Sequence, residues 1–161
     1  MIITNILIKT FYKLEAANTI SIRYNFRTEQ RSSPRASWNS IASDSSGQYL
    51  AAVTFDKGVY TSSDYGSKWE ESNHPFKRFV GDAIASDSTG QYLAVTTFGD
   101  GLWTSSNYGK DWSETSAPRY SWSSIASDST GQYLAAVAYS KGIWVSSDYG
   151  SRWQLSRYCL L

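Results

Sequence analysis

The octapeptide "SSDYGSKW" occupies residues 62–69, and it returns as "SSNYGKDW" at residues 105–112 and as "SSDYGSRW" at residues 146–153. Longer units align around it almost without gaps from Ile41, Ile84 and Ile125, so the spacing is 43 and then 41 residues. A period of this length is typical of solenoid and propeller arrays. The sequence is therefore predicted to contain a tandem array of three units.

Each unit contains four short apolar segments separated by turn signals. In the first unit these segments are residues 38–42, 49–55, 59–62 and 68–71. Segments of this length that are rich in Val, Ile, Tyr, Trp and Thr predict strands, because they are too short for helices. The second segment carries apolar residues on both faces, which indicates a small sheet covered on both sides. The predicted fold class is all-β.

The pattern Ser-x-Asp-x-Gly-x-x-Trp in these octapeptides resembles the Asp-box, or BNR repeat. This repeat occurs in the β-propellers of sialidases, sortilin-type receptors, some glycoside hydrolases and photosystem II assembly factors. The resemblance covers residues 38–156 and implies a partial β-propeller of three four-stranded blades, at residues 38–79, 80–121 and 122–161, the last with a short tail. The sequence departs from the family pattern at Asn107, which replaces Asp, and just before each Trp, where the family often has Thr: Lys68, Asp111 and Arg152.

Each box is interpreted as a lock for the hairpin between the third and fourth strands. The short Asp or Asn side chain is expected to accept backbone N–H groups, Ser offers a second local partner, and Gly adopts a positive φ. Trp then buries a large ring as the next strand begins. The residues with this structural role are Ser62, Asp64, Gly66 and Trp69; Ser105, Asn107, Gly109 and Trp112; and Ser146, Asp148, Gly150 and Trp153.

A metal site in these boxes is not predicted, because identical loops on successive blades cannot converge on one ion. The same interpretation as a turn applies to the second repeated motif, "SDSSGQ" or "SDSTGQ", which begins one residue before Asp44, Asp87 and Asp128. A calcium loop would need a ligand-rich alternation that this motif lacks. No metal and no cofactor are expected.

The units differ from one another mainly in the loops between the second and third segments and in the linkers between units. In a propeller both sets of loops emerge on the face opposite the Asp-boxes, and that face commonly binds ligands. Cations at Lys57, Lys77, Arg78, Arg119 and Lys141 would make it locally basic, with a solvated rim as the alternative. Trp103 and Trp144 complete the candidate ligand-binding set, although packing between blades is the commoner role of such residues.

A sialidase-like enzyme is the main alternative from another functional class. The resemblance implies an arginine triad, a tyrosine activated by a glutamate, and an aspartate acid. Most Asp residues here belong to the repeated turns, and "NFRTEQ" matches the family's arginine motif only through Phe26 and Arg27. No catalytic residue is assigned, because no carboxylate pair for glycoside hydrolysis can be identified. The predicted function is a non-enzymatic binding or scaffold module, with a glycoside hydrolase remnant and a lectin-like carbohydrate binder as alternatives.

Charge and composition constrain the partners further. The 161 residues include 15 Lys plus Arg and 14 Asp plus Glu, so nucleic acid is not expected as a general partner. No apolar run is long enough to span a membrane, and the first residues lack the features of a signal peptide, so a soluble protein is expected. A single cysteine, Cys159, leaves the compartment open. A protein or a glycan is the expected partner.

Residues 1–37 are predicted to form an N-terminal extension without an Asp-box. Residues 19–27 alternate between apolar and polar types as a strand does, and they are interpreted as a remnant of a preceding blade. Propellers usually have about four to eight blades, so three blades are too few for a closed ring. The chain is therefore predicted to be a fragment or degenerate relative of a larger propeller, or else a homodimer that closes a six-bladed ring.

Overall fold

The computed structural model describes residues 33–75 and 82–156 fully and, before them, the strand backbones of residues 7–15 and 19–27. The chain divides into two units, Met1–Arg31 and Ser32–Leu161. In the first unit, β1 (Leu7–Glu15) and β2 (Thr19–Arg27) form an antiparallel two-stranded sheet in which Leu7 lies opposite Arg27. The segment interpreted above as a blade remnant is thus one strand of a hairpin.

The second unit contains three four-stranded antiparallel sheets, and in each sheet the strands follow one another in chain order. The first sheet is β3 (Trp38–Ser43), β4 (Leu50–Thr54), β5 (Val59–Ser62) and β6 (Glu70–Glu71). The second is β7 (Ala83–Ser86), β8 (Leu93–Thr97), β9 (Gly101–Ser105) and β10 (Ser113–Glu114). The third is β11 (Trp122–Ser127), β12 (Leu134–Ala138), β13 (Gly142–Ser146) and β14 (Gln154–Leu155).

These sheets are open, and the described residues contain no helix, so the predicted all-β class with three four-stranded blades is confirmed. We call the sheets blades 1, 2 and 3. The last strand of every blade has only two residues, which leaves little unpaired backbone at that edge. The second strand of blade 1 ends at Thr54, one residue before its predicted end.

The hydrophobic core lies between neighbouring blades. One cluster joins Ala51, Val53 and Val59 of blade 1 to residues of blade 2 that include Ile84 and Trp112. A second cluster joins blades 2 and 3 in the same way, with Leu102 on one side and Trp122 and Ile125 on the other. We call the face of a blade on the side of the preceding blade its leading face, and the face on the side of the next blade its trailing face.

Candidate functional site

The first Asp-box is a closed network of local hydrogen bonds. Ser62 Oγ donates to Asp64 Oδ1 at 2.9 Å and accepts the backbone N–H of Gly66 at 3.0 Å. Asp64 Oδ1 also accepts the N–H of Lys68 at 2.8 Å. The third box repeats this network around Asp148, whose Oδ1 accepts from Ser146 Oγ and from the N–H of Arg152. The polar atoms that could have formed a site are thus engaged in the turn.

The second box keeps the same network although Asn107 replaces the aspartate. Asn107 Oδ1 accepts from Ser105 Oγ at 3.0 Å and from the N–H of Asp111 at 2.9 Å. The amide nitrogen of Asn107 donates to Asp111 Oδ2 at 2.8 Å, a bond that a carboxylate at residue 107 could not donate. The amide oxygen is therefore sufficient for the lock, and the charge is not required.

The tyrosine inside each box is a feature that sequence analysis missed. Tyr65 and Gly66 are both left-handed, with φ of 60° and 77°, and the N–H of Ser67 donates to the carbonyl oxygen of Asp64 at 3.2 Å. Two successive positive φ values are those of a type I′ turn, which suits a tight hairpin. The equivalent residue Tyr108 extends towards blade 1, where its ring centroid lies 4.8 Å from that of Tyr49.

The box tryptophan bonds to its own turn as well as packing between blades. Trp112 Nε1 donates to the carbonyl oxygen of Gly109 at 3.1 Å and to Ser72 Oγ of blade 1 at 2.7 Å. Ser72 Oγ in turn donates to the same Gly109 carbonyl. In blade 3, Trp153 Nε1 donates to the carbonyl oxygen of Gly150 at 3.0 Å. The second box thus fastens blade 2 to blade 1.

The second repeated turn, which begins at Asp44, Asp87 and Asp128, is also held by hydrogen bonds to a carboxylate. Asp44 Oδ1 accepts the N–H of Tyr49 at 3.0 Å, and Asp44 Oδ2 accepts from Ser46 Oγ. Asp87 and Asp128 accept the equivalent bonds in blades 2 and 3. Within residues 33–75 and 82–156, no group of three His, Cys, Asp or Glu side chains is placed to hold a metal ion.

Hydrogen bonds lower the pKa values of several of these turn carboxylates. The backbone N–H of Arg152 is the main cause of the lowered pKa of Asp148, and the Ser146 hydroxyl adds to it. For Asp44, desolvation acts to raise the pKa, but bonds from Ser46 and from the N–H of Tyr49 outweigh it, so the pKa lies below its ordinary value. These carboxylates stay ionised and act as acceptors, which is unlike a general acid.

The opposite face of the blades is built from the loops between the second and third strands together with the linkers, and we call it the loop face. In blade 1, Lys57 Nζ donates to the carbonyl oxygen of Arg35 at 2.6 Å, and the N–H of Ser37 donates to Asp56 Oδ1 at 3.1 Å. The loop and the linker are therefore directly bonded. A backbone bond between loop and linker occurs in both blade 1 and blade 3: the N–H of Phe55 donates to the carbonyl oxygen of Ser37 at 2.8 Å, and the N–H of Tyr139 to that of Ser121 at 2.9 Å.

Three of the five predicted cations are described on this face, and each has its own partner. Arg119 Nη2 donates to Glu114 Oε1 at 2.8 Å. Lys141 Nζ lies 5.7 Å from the centroid of the Tyr120 ring, within the range of a cation–π contact. Lys57 is bonded to the linker as described above. The other two predicted cations, Lys77 and Arg78, lie outside the described residues.

The two predicted tryptophans are half-buried within the blades. Trp103 packs against the hydrophobic cluster between blades 1 and 2. Trp144 lies among Tyr120 and Trp122, with ring centroids 5.8 and 6.3 Å away, and its Nε1 donates to the carbonyl oxygen of Lys141 at 3.1 Å. Both rings are therefore engaged in packing within the array.

Two exposed aromatic residues of the loop face were missed by the sequence analysis. Phe98 forms an isolated antiparallel bridge with Ser121, and Tyr139 is bonded to the same residue, so the two flank it. Their side chains are 57 % and 79 % exposed. A signal was present in the sequence, because Phe55, Phe98 and Tyr139 stand at one equivalent position of all three units. We call Phe98, Tyr139, Arg119 and Lys141 the Ser121 patch.

Clefts also open between blades on the Asp-box side. One, of about 450 Å³, lies between blades 1 and 2 and is lined by residues that include Tyr49, Asp64 and Tyr108. A smaller one, of about 150 Å³, lies at the equivalent place between blades 2 and 3, next to Tyr92 and Tyr149. Their equivalent positions indicate grooves that result from stacking identical blades.

The blades and their boxes define the class of protein, a partial Asp-box β-propeller. Residues 102–115, which include the second box, match the family described as the BNR-Asp box repeat. No curated protein matches the sequence. In the part of the chain that the structure describes, no helix is long and apolar enough to cross a membrane.

Solved structures with a similar fold are β-propeller proteins. The GH74 enzyme of Niastella koreensis aligns with a TM-score of 0.65 and 18 % identity, over 85 % of this chain and 21 % of that one. YCF48 bound to D1 peptide aligns with a TM-score of 0.63 and 14 % identity, over 74 % and 40 % of the two chains. A structure described as a Nidogen/Laminin complex aligns with a TM-score of 0.63 and 14 % identity, over 89 % of this chain and 55 % of that one. The chain thus spans only part of each similar protein, and these identities show the fold alone.

Proposed function

We propose that this chain is a non-enzymatic binding module and that the Ser121 patch is its ligand-binding surface. The observation that carries the proposal is the placement of Phe98 and Tyr139 on either side of Ser121 with both rings exposed. Exposed aromatic side chains beside cations are typical of recognition surfaces, because they offer apolar area together with charge.

The distribution of polar groups supports a binding function. Asp64, Asn107 and Asp148 bond within their own turns, so they supply no free nucleophile or acid to a substrate. On the Ser121 patch, by contrast, the described contact of the Lys141 ammonium group is with the face of the Tyr120 ring. This ammonium group can therefore donate to a carboxylate of the ligand while it stays over the ring.

A protein segment is favoured over a sugar as the ligand. A lectin that used Trp103 and Trp144 would need their rings free for stacking, but both are packed between or within blades. Phe98 and Tyr139 would instead contact apolar side chains, with Lys141 beside them for an acidic group. Propellers of similar fold include GH74 enzymes and a YCF48 bound to a D1 peptide, so the fold serves both functional classes. The proposal that this chain is a binding module therefore rests on the Ser121 patch and not on the fold.

Binding to an array of peptides that combine apolar and acidic residues tests this proposal. We expect selected peptides to bind the wild-type chain, and the double variant Phe98→Ser, Tyr139→Ser to lose binding by at least about tenfold, as hot-spot aromatics do. The single variant Lys141→Ser should weaken binding mainly at low ionic strength. Matched controls on the Asp-box side are Tyr65→Asn and Lys110→Ser, which should bind as the wild type does.

Two results would contradict the proposal. Glycan-array binding that is lost in Trp103→Ala and Trp144→Ala variants, with no peptide binding, would favour the lectin. Hydrolysis of a fluorogenic sialoside that is abolished by substituting Arg27 would favour the glycoside hydrolase. Circular dichroism of each variant separates loss of binding from loss of folding.

A further inference from the structure

Adjacent blades of this chain are joined by one directional contact that occurs twice. The N–H of Ser45 in blade 1 donates to the carbonyl oxygen of Ser88 in blade 2 at 2.9 Å. The N–H of Ser88 donates in turn to the carbonyl oxygen of Ser129 in blade 3 at 3.0 Å. The donor always belongs to the trailing face and the acceptor to the leading face.

Pairs of tyrosine rings cross these interfaces in the same direction as the hydrogen bonds, from a trailing face to a leading face. A turn tyrosine on the trailing face meets a box tyrosine on the leading face, first as Tyr49 with Tyr108 and then as Tyr92 with Tyr149, at 4.8 and 4.9 Å. Leading-face glycines allow the blades to come close. A Cβ atom added to Gly90 would lie 2.6 Å from Tyr49 Cβ.

The leading face of blade 1 carries the same residue types in an exposed state. Ile41 is 63 % exposed, whereas the equivalent residues Ile84 and Ile125 are 5 % and 8 % exposed inside the two interfaces. Gly47 is equivalent to Gly90, but a Cβ atom added there would have no described neighbour within 4 Å. This face is therefore built for a preceding blade.

The trailing face of blade 3 is its counterpart. Ile143 is 42 % exposed, whereas the equivalent Val59 and Leu102 are fully buried. Tyr133, equivalent to Tyr49 and Tyr92, is also exposed. This face therefore offers apolar side chains and a turn tyrosine of the kind that the internal interfaces bury.

We propose that the occupant of both faces is a second copy of this chain, docked head to tail. Blade 3 of one copy packs on blade 1 of the other in the way that blades 1, 2 and 3 pack within the chain. The N–H of Ser129 donates to the carbonyl oxygen of the partner's Ser45, and Tyr133 packs on the partner's Tyr65. Two copies supply six blades, which lies within the usual range of about four to eight, so the ring closes as a dimer.

Head-to-tail docking follows from the direction of the contact. If two leading faces met, the carbonyl of Ser45 would face another carbonyl, and the two box tyrosines would meet without their turn partners. If two trailing faces met, two N–H donors would face each other. Only unlike faces pair a donor with an acceptor, and buried backbone groups require such pairing. The contact is therefore heterologous.

Light scattering and sedimentation velocity of the full chain test the proposal. We expect a mass twice the 18.0 kDa of the single chain. Ile41→Arg and Ile143→Arg each place a charge in both interfaces of the ring, and each should raise the dissociation constant by roughly 100-fold or more. Phe98→Arg, on the loop face of the middle blade, is the matched control and should remain dimeric even though the proposed ligand no longer binds.

Mixing the two arginine variants tests the direction of docking. One copy then contributes an unmodified trailing face and the other an unmodified leading face, so one intact interface forms and a heterodimer appears at concentrations where each variant alone is monomeric. Far-UV circular dichroism checks that every variant is folded.

Several outcomes would overturn the proposal. A monomer at all concentrations would do so, including one in which residues 1–31 cover the leading face. An isologous dimer would respond to only one of the two arginine substitutions. An open filament would show masses that grow with concentration beyond the dimer. A wild-type chain that forms the dimer but binds no peptide would count against the proposed ligand surface alone.

Discussion

Each Asp-box depends on an oxygen acceptor at its third position. Asp64 and Asn107 accept the same two bonds, from the serine two residues before and from the N–H four residues after. Because these partners are so close in sequence, the hydrogen bonds of the turn involve no other blade. The chemistry of the box can therefore be tested by a single substitution.

Asp64→Asn should leave stability nearly unchanged, because Asn107 already fills this role in blade 2. Asp64→Ala should lower the free energy of unfolding by about 1 kcal/mol, since Ser62 Oγ and the N–H of Lys68 lose their acceptor. Urea denaturation measures the free energy of unfolding of both variants. Equal losses in the two variants would show that the charge, and not the acceptor oxygen, holds the turn.

The lowered pKa values of Asp44, Asp128 and Asp148 predict acid sensitivity. A carboxyl whose pKa is lower in the folded state stabilises that state above its unfolded pKa of about 3.9, and the stabilisation disappears as the pH falls through the folded value. The melting temperature should thus be flat from about pH 7 to 5 and fall below about pH 4. Asp148→Asn should reduce that fall, because the amide oxygen can still accept the two bonds but does not titrate.

At the scale of the elements, stacking of blades depends on glycines where a turn approaches the preceding blade. Gly90 has φ of +79°, and its added Cβ atom would lie 2.6 Å from Tyr49 Cβ. Gly99 has φ of +81° but no neighbour within 4 Å of an added Cβ atom. The two residues therefore separate backbone strain from packing between blades.

Gly99→Ala should cost about 1–2 kcal/mol, because only the left-handed backbone conformation opposes it. Gly90→Ala should cost about 1–3 kcal/mol more, because blades 1 and 2 must also move apart. Guanidinium denaturation of both variants gives the difference. If the two losses are equal, the contact between blades at Tyr49 contributes little to stability.

At the scale of the whole molecule, stability is expected to depend on protein concentration. A head-to-tail dimer buries Ile41 and Ile143, so folding and association are linked and the melting temperature rises with concentration. Differential scanning calorimetry over a 100-fold range of concentration measures this. The Ile41→Arg variant should show no such rise. A melting temperature of the wild type that does not change with concentration would contradict the dimer.

The sequence determined the three-fold repeat, the all-β class and the residues of each box. These features depend on hydrogen bonds between residues two to five positions apart and on the alternation of apolar and polar residues along single strands. Both are properties of local sequence, so the sequence alone predicts them. Sequence analysis recognised the glycines of the box turns but missed the left-handed tyrosines beside them. A tyrosine with positive φ is uncommon, and the rings of Tyr108 and Tyr149 meet tyrosines of the preceding blade, Tyr49 and Tyr92, which are distant in the sequence.

Only the tertiary structure decided which residues are exposed. Ile41, Ile84 and Ile125 are the same residue at the same place in the repeat, yet the first is 63 % exposed and the others are buried. The difference depends on which face has a neighbouring blade, and burial is a property of that packing. The same holds for Phe98 and Tyr139, which meet at Ser121 only because two blades stack.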